Sequence, residues 1–394
     1  MTRTEVLQER RMAKFLDLLD RWNRRELSMA EAGEVLGISE RQFRRYRDRF
    51  EEEGLEGLVD RRLGKASARR VPPDEEARVL ALYRARYAGW NVKHFHDHLR
   101  ETTDFRFGYT WLKLRLQGAG LVSRAKKRGA HRRKRERKPC PGMMLHQDAS
   151  RFAWLADQEP LDLVVTLDDA TSEIYSAFLV EEEGTFSTFQ GLLETFLVQG
   201  LPASLYTDRG SHYFHTPKAG GKVDKDRPTQ VGRALAQLGV DHIAAYSPEA
   251  RGRSERAFGT LQDRLAKELA LAGINEIAAA NRWIAETYLP RHNARFTTPP
   301  ALAESGFVRT DPATLREALC VEEHRVVARD NTVLFAKRAL QLPPSPLRPH
   351  YVKAEVRVRH YPDDTLAIFH GPKCLARYTA QGHLIQEHPN KAAA

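Results

Sequence analysis

The chain has 394 residues, with 63 Lys and Arg against 52 Asp and Glu, a formal net charge of +11. That length is ample for two or three domains and a sizeable core. Three dispersed cysteines exclude a disulfide framework and a Cys-rich zinc site, and no apolar run is long enough to cross a bilayer. The N-terminus lacks the apolar core of a secretory signal, so the expectation is a cytoplasmic protein with no membrane partner. The charge is concentrated: residues 124–138 alone net +9. Such a block points to a polyanion partner.

Residues 4–22 predict an amphipathic helix. Ser28 caps a second helix over 29–36, Gly37-Ile38 makes a tight turn, and Ser39 opens a third, with Gln42 as capping-box partner. On the third helix Phe43, Tyr46 and Phe50 face inward, leaving Arg41, Arg44, Arg45 and Arg47 outward or on the flank. A short helix, a glycine turn and an Arg-rich third helix read as a helix-turn-helix, with Arg41, Gln42, Arg44, Arg45 and Arg47 as DNA-binding residues. The bland alternative is a three-helix bundle with a solvated Arg face. This gives a DNA-binding domain over 1–60 and a basic arm over 61–71 that follows a groove or is a plain linker.

Pro72-Pro73 marks the next boundary. Helices over 74–87, 91–100 and 109–118 predict a second helix-turn-helix unit, winged or not, within 72–123. His94 and His98 share a helix face at metal-binding spacing, but the expected reading is surface or interface histidine touching phosphate. The linker 124–139 follows, and Lys126, Lys127, Arg128, Arg132, Arg133, Lys134 and Arg135 are expected to clamp phosphates, with affinity falling steeply in salt.

From residue 143 the pattern changes. Strands over 143–150, 161–171 and 173–180 precede a helix (185–200), a strand (203–210), a helix (229–240), a strand from 241 and a long helix (254–273). This order fits an α/β domain with a mixed sheet over 140–300. Asp148 and Asp208 each follow an apolar strand, in HQDAS and YTDRG, and Glu255 starts the long helix in SPEARGRSER. Three carboxylates at one rim repel each other and suit hard cations. Two Mg²⁺ or Mn²⁺ ions can clamp the attacking and leaving oxygens of an in-line phosphoryl transfer. Helix caps and turn residues are the alternative reading of these acids. Asp168 and Asp169 read as turn and structural groups, Glu249 competes with Glu255, and Arg251 and Arg253 either neutralise scissile-strand phosphates or solubilise the helix flank. Thr207 and His212 are further candidates for DNA contact.

Residues 301–394 read as a β-rich domain, with a hairpin about Asp330-Asn331, a second about Pro362-Asp363-Asp364, and closure into a small barrel.

These strings resemble the catalytic core of retroviral-type integrases and of bacterial DDE insertion-sequence transposases. SPEARGRSERAFGTLQDRL is similar to the segment that ends in the family's catalytic Glu. HQDAS with Trp154 and LDDATSEI resembles the first-Asp strand and its hairpin, and YTDRGSHYF the second-Asp turn. With the helix-turn-helix units and the β-rich tail, the ISNCY-type transposases are the nearest group. The resemblance covers nearly the whole chain, specifically in the core and generically in the first 120 residues. It implies a ribonuclease-H-like fold and Asp148, Asp208 and Glu255 as metal ligands and catalytic triad. It also implies hydrolysis at transposon ends, then attack of the released 3′ hydroxyl on target DNA. The β-rich tail is implied to contact DNA or another protomer. The chain departs from the family in Arg209 after the second Asp and in 46 residues between Asp208 and Glu255, the excess being a polar Gly/Lys loop. It also lacks the His/Cys zinc module of retroviral integrases. Strand exchange joins two ends, so double-stranded DNA and a homodimer or larger oligomer are the expected partners. A DNA-binding regulator with an inactive core is the alternative function.

Overall fold

The computed structural model describes residues 3–60, 71–124, 136–218, 221–224, 226–246, 252–344 and 348–385. The chain divides into two compact units, Met1–Val79 and Leu80–Ala394, the division falling within one helix.

In the first unit α1 (Arg3–Asn23), α2 (Met29–Leu36) and α3 (Glu40–Glu53) are followed by a 3₁₀ turn, Gly54–Leu58. Ser28 and Glu31 form a reciprocal capping box at the start of α2, and Ser39 accepts from the Gln42 amide at α3. Gly37 ends α2 at φ 70°, a left-handed position where a side chain costs energy. Phe15, Leu18, Leu19, Ala32, Phe43 and Leu58 form the core. The periodicity of α3 therefore acts as expected: Phe43 points in, and Tyr46 and Phe50 pack beside it.

The second unit receives α4 (Pro73–Arg86), then α5 (Val92–Thr102) and α6 (Tyr109–Gly118). Asn91 caps α5 by accepting from the His94 amide at 2.7 Å. Strands β1 (Leu145–Phe152), β2 (Leu161–Asp168), β3 (Ile174–Val180), β4 (Ser204–Thr207) and β5 (Asp241–Ala244) form one mixed sheet in the order β3-β2-β1-β4-β5. The first three strands are antiparallel, while β4 and β5 run parallel to β1. Helices α7 (Thr185–Val198), α8 (Gln230–Gln237) and α12 (Pro312–Ala318) pack with Leu145 and Leu205 on one core. Helix α9 (Gly252–Leu271), α10 (Ile277–Trp283), a π-turn (Ile284–Tyr288) and α11 (Leu289–Phe296) belong to the other side of the sheet. There Phe258, Leu261, Leu265 and Leu269 meet Leu163, Val165 and Leu167. Alternation along β2 separates the two cores.

The C-terminal strands β6 (Val321–Val326), β7 (Thr332–Phe335), β8 (Arg338–Gln341), β9 (Glu355–His360), β10 (Leu366–His370) and β11 (Lys373–Tyr378) correct two expectations. The described strands do not close into a barrel: they make an open sheet β11-β10-β9-β6 and a separate β7-β8 hairpin. The two share a core of Val333, Phe335, Leu340, Val356, Val358 and Ile368, so burial comes from layering rather than closure. Nor do β6 and β7 pair around Asp330-Asn331. Strand β6 pairs with β9, and β7 turns through Ala336 and Lys337, both at positive φ, into β8. Asn331 instead makes a corner, donating to the Leu342 carbonyl at 3.1 Å and accepting from the Tyr351 amide at 2.8 Å. The β9-β10 hairpin forms where expected, across Pro362–Asp364. Among the described residues no helix is long and apolar enough to cross a membrane.

Candidate active site

The centre of the site follows from strand register. Strand β1 pairs with β4 in parallel, Leu145 level with Leu205 and His146 with Tyr206. Carried two residues on, the same offset brings Asp148 level with Asp208, on neighbouring strands about 4.8 Å apart. Asp148 is buried and opposite Val165, so it belongs to the face covered by α9. Its Oδ1 accepts from the Ala149 amide at 3.1 Å. Asp208 is half-buried, and its Oδ1 accepts from the Gly210 amide at 2.8 Å, which shapes the turn after β4. A Cβ on Gly210 would stand 3.1 Å from both Asp208 Oδ1 and the His212 ring, so the turn is close-fitting.

A polar floor lies beneath the pair. Gln147 donates to Thr166 Oγ1 and to the Thr188 carbonyl, each at 3.1 Å. Tyr213 is fully buried, and its hydroxyl reaches Glu183 Oε1 at 3.1 Å and Gln147 Oε1 at 3.4 Å. Burial, and then the negative field of Glu183, Asp148 and Asp208, pushes its phenol well above the usual range. Both aspartates thus act on one hydroxyl. Sequence reasoning did not single out Tyr213 or Glu183. An acidic EEE run before α7 was the available signal, and only folding brings it to this floor.

Glu255 lies in the first turn of α9 and is exposed. Seven residues on, the side chain of Gln262 donates to Ser150 Oγ at 2.8 Å, so the helix face that carries Glu255 is the one lying over β1. The three acids are not gathered: among the described residues no group of three or more His, Cys, Asp or Glu is placed to hold a metal ion. Glu249 and Arg251 lie outside the described residues. Arg253 does not face a phosphate-binding surface, which corrects that expectation. Its side chain is 9% exposed and ion-paired to Asp169 at 2.5 Å, because the start of α9 turns it toward the sheet. Asp168 accepts from the Gly142 and Thr171 amides at 2.9 and 2.8 Å, the structural role expected of it. Arg209 donates to the Gly221 carbonyl at 2.7 Å and lies over the Tyr246 ring, so it holds the inserted loop.

On α3, Arg41, Gln42, Arg44 and Arg45 are exposed. Arg44 pairs with Glu40 at 2.7 Å. Arg47 lies against Trp22 and pairs with Asp48 and Glu51, which draws it to the flank. Lys126, Lys127, Arg128, Arg132, Arg133, Lys134 and Arg135 lie outside the described residues. His94 is 1% exposed, stacked on Trp90 with its Nε2 2.8 Å from Glu268 Oε1, which corrects the expectation of a surface or interface histidine touching phosphate. Thr207 Oγ1 meets His242 at 3.0 Å, and His212 faces Glu183 at 3.4 Å.

Comparison with known proteins adds three findings. Residues 17–77 match a family model described as a winged helix-turn helix. The putative transposase y4bF of Sinorhizobium fredii is 30% identical over 345 residues, covering 87% of this chain and 75% of that protein. The transposase for insertion sequence IS1202 of Streptococcus pneumoniae is 27% identical over 297 residues, covering 66% of this chain and 63% of its own length. Among solved structures, the HTLV-2 integrase catalytic core domain in complex with magnesium overlaps 38% of this chain and 88% of its own, at 16% identity and TM-score 0.28. The simian T-cell lymphotropic virus intasome, in complex with PP2A regulatory subunit B56 gamma, overlaps 71% of this chain and 91% of its own at 13% identity and TM-score 0.32. Overlaps at these scores do not define a shared fold.

Proposed function

The chain belongs to the transposase family represented by these relatives, and from that premise we propose that it is a DDE-type enzyme with a ribonuclease-H-like core, cutting transposon ends and joining them to target DNA. The observation that carries this reading is the parallel register of β1 and β4, which, extended by two residues, sets Asp148 within β1 beside Asp208 just after β4.

Hard carboxylate oxygens at these positions fit Mg²⁺ or Mn²⁺ in kind, and the negative field they place on Tyr213 is that of an anionic pocket. Asp148 and Asp208 would hold the ions, with Glu255 joining them from α9. Bound there, two such ions supply activation of the attacking oxygen and charge stabilisation of the leaving one. The protein's own part is to keep two like charges side by side against their repulsion and to orient them. The strand register sets their spacing, and the Ala149 and Gly210 amides donate to Asp148 and Asp208, favouring the charged carboxylates. The first reaction breaks a P–O bond with water and releases a 3′ hydroxyl. In the second that hydroxyl attacks a target phosphodiester, forming one P–O bond as another breaks, with a target 3′ oxygen leaving. Binding of the ends falls to α3, through Arg41, Gln42, Arg44 and Arg45, and to the basic linker. Two ends in one reaction call for a dimer or larger assembly on DNA.

One observation favours a second reading, a DNA-binding regulator with an inert core: among the described residues Glu255 belongs to no group of three or more metal-ligating side chains. End cleavage by the purified protein in Mn²⁺ separates the two. Wild type should cut, and Asp148→Ala and Asp208→Ala should not. Cleavage at the wild-type rate in Asp208→Ala would overturn the metal mechanism, and an inert wild type would support the regulator.

A further inference from the structure

We propose that Asp169 is a positioning residue for this reaction: one buried carboxylate that ties the start of α9, and so Glu255, both to the strand that carries Asp148 and to the end of the basic segment preceding the core. The proposal rests on the DDE reading above.

Asp169 is fully buried directly after β2. Its Oδ1 lies 2.8 Å from His146 Nε2 and 2.5 Å from Arg253 Nε. Its Oδ2 accepts from the Lys138 amide at 2.7 Å. Each partner has a consequence. His146 stands two residues before Asp148 on the same face of β1. Arg253 stands two residues before Glu255 in the first turn of α9. Lys138 closes the +9 segment, whose end is held twice more. Arg253 Nη2 donates to the Glu136 carbonyl at 2.9 Å, and Arg137 Nη1 donates to the Asp169 and Ala170 carbonyls at 3.1 and 3.0 Å.

A helix start has little else to fix it, since its first amides lack partners within the helix. For α9 the segment just upstream, 247–251, lies outside the described residues, and Arg253 ties that end of the helix to Asp169 and to the Glu136 carbonyl. Burial alone would raise the Asp169 carboxyl, but the His146 hydrogen bond, the Lys138 amide and the charge on Arg253 hold it far below the usual carboxylate range. It is therefore an anion throughout the working pH range, able to hold the Arg253 guanidinium and the His146 ring at once. A turn residue of merely local use needs only amides, as Asp168 shows one position earlier.

The test compares Asp169→Asn and Arg253→Gln with wild type in the full chain. Asn keeps one acceptor but turns an NH₂ toward the Lys138 amide, donor against donor. Gln at 253 removes the charge and keeps a donor toward the buried Asp169 carboxylate, at a cost in stability that the midpoint reads. Four readings are taken: thermal midpoint, affinity for end DNA, single-turnover end cleavage across Mg²⁺ concentration, and hydrogen exchange over 136–145 and 252–262. For Arg253→Gln we expect a lowered midpoint in a chain still folded at the assay temperature, unchanged DNA affinity, a cleavage rate about ten- to a hundredfold lower as for a misplaced catalytic group, a higher half-saturating Mg²⁺, and faster exchange over 252–262. Asp169→Asn should add faster exchange over 136–145. Wild-type cleavage and exchange in Arg253→Gln would overturn the proposal. So would a loss of cleavage that tracks a loss of DNA affinity, which is the phosphate-contact role, or one that tracks unfolding in both variants. An inert wild type overturns the DDE reading and this role with it, whereas an active wild type beside an equally active Arg253→Gln overturns this role alone.

Discussion

His94 and Glu268 stand 174 positions apart in sequence, yet their side chains meet at 2.8 Å with both buried. The contact belongs to a continuous polar seam between α5 and the helices of the core. Asn91 caps α5 and also reaches Asp263. Asp97 pairs with Arg264 and Arg295, each at 3.2 Å, and Glu101 with Arg291 at 3.0 Å. A helix that reads as part of a separate DNA-reading unit is thus packed onto α9, the helix that carries Glu255.

Removing one partner from such a seam strands the others in a low-dielectric setting. Glu268→Ala leaves the buried His94 without its carboxylate and Arg291 with Glu101 alone. The expected loss is about 3 kcal/mol of unfolding free energy, read by denaturant titration. Glu101→Ala, at the exposed end of the seam, should cost under about 1 kcal/mol. Equal losses in the two would show that burial does not set the strength of the seam.

The same seam makes the fold acid-sensitive. Burial, then the nearby Arg264, depresses the His292 imidazole from 6.5 to about 4. Between those values the unfolded chain binds a proton that the folded chain refuses, so stability is full above about pH 6.5 and falls as the pH drops toward 4. The slope from this one group is about 1.4 kcal/mol per pH unit. His292→Gln should flatten the change in thermal midpoint between pH 7 and pH 5, and an unaltered profile would remove His292 as its source.

On α3 the arginines should divide into two kinds. Arg41→Ala and Arg45→Ala, at exposed positions, should weaken end-DNA binding and, for each lost phosphate contact, lower the salt slope by about 0.9. Arg47→Ala should act mainly through stability, because its guanidinium covers Trp22. Melting curves beside salt-titrated binding separate the two, and a stability loss confined to Arg41→Ala would reverse the assignment.

For the basic segment, replacing Lys126, Lys127, Arg128, Arg132, Arg133, Lys134 and Arg135 with Gln should weaken DNA binding and flatten its salt dependence while leaving the melting curve unchanged. Binding that keeps its salt slope would make this stretch a plain spacer.

The local features of this protein are legible in its sequence. Caps at Ser28 and Ser39, the inward stripe of Phe43, Tyr46 and Phe50, the apolar strands that end near Asp148 and Asp208, and the concentration of charge in residues 124–138 all rest on interactions within about ten residues. Such interactions leave a periodic trace. Pairings between distant segments leave none, and tertiary structure alone decided them. The β1–β4 register sets Asp148 beside Asp208. Strand β6 pairs with β9 over six residues, from Val321 with His360 to Val326 with Glu355, and not with β7. Arg253, which reads as a surface cation on a helix flank, turns inward because a buried Asp169 stands where the start of α9 meets the sheet. A charged side chain's direction depends on the nearest unsatisfied opposite charge, and only the folded chain determines which charge that is.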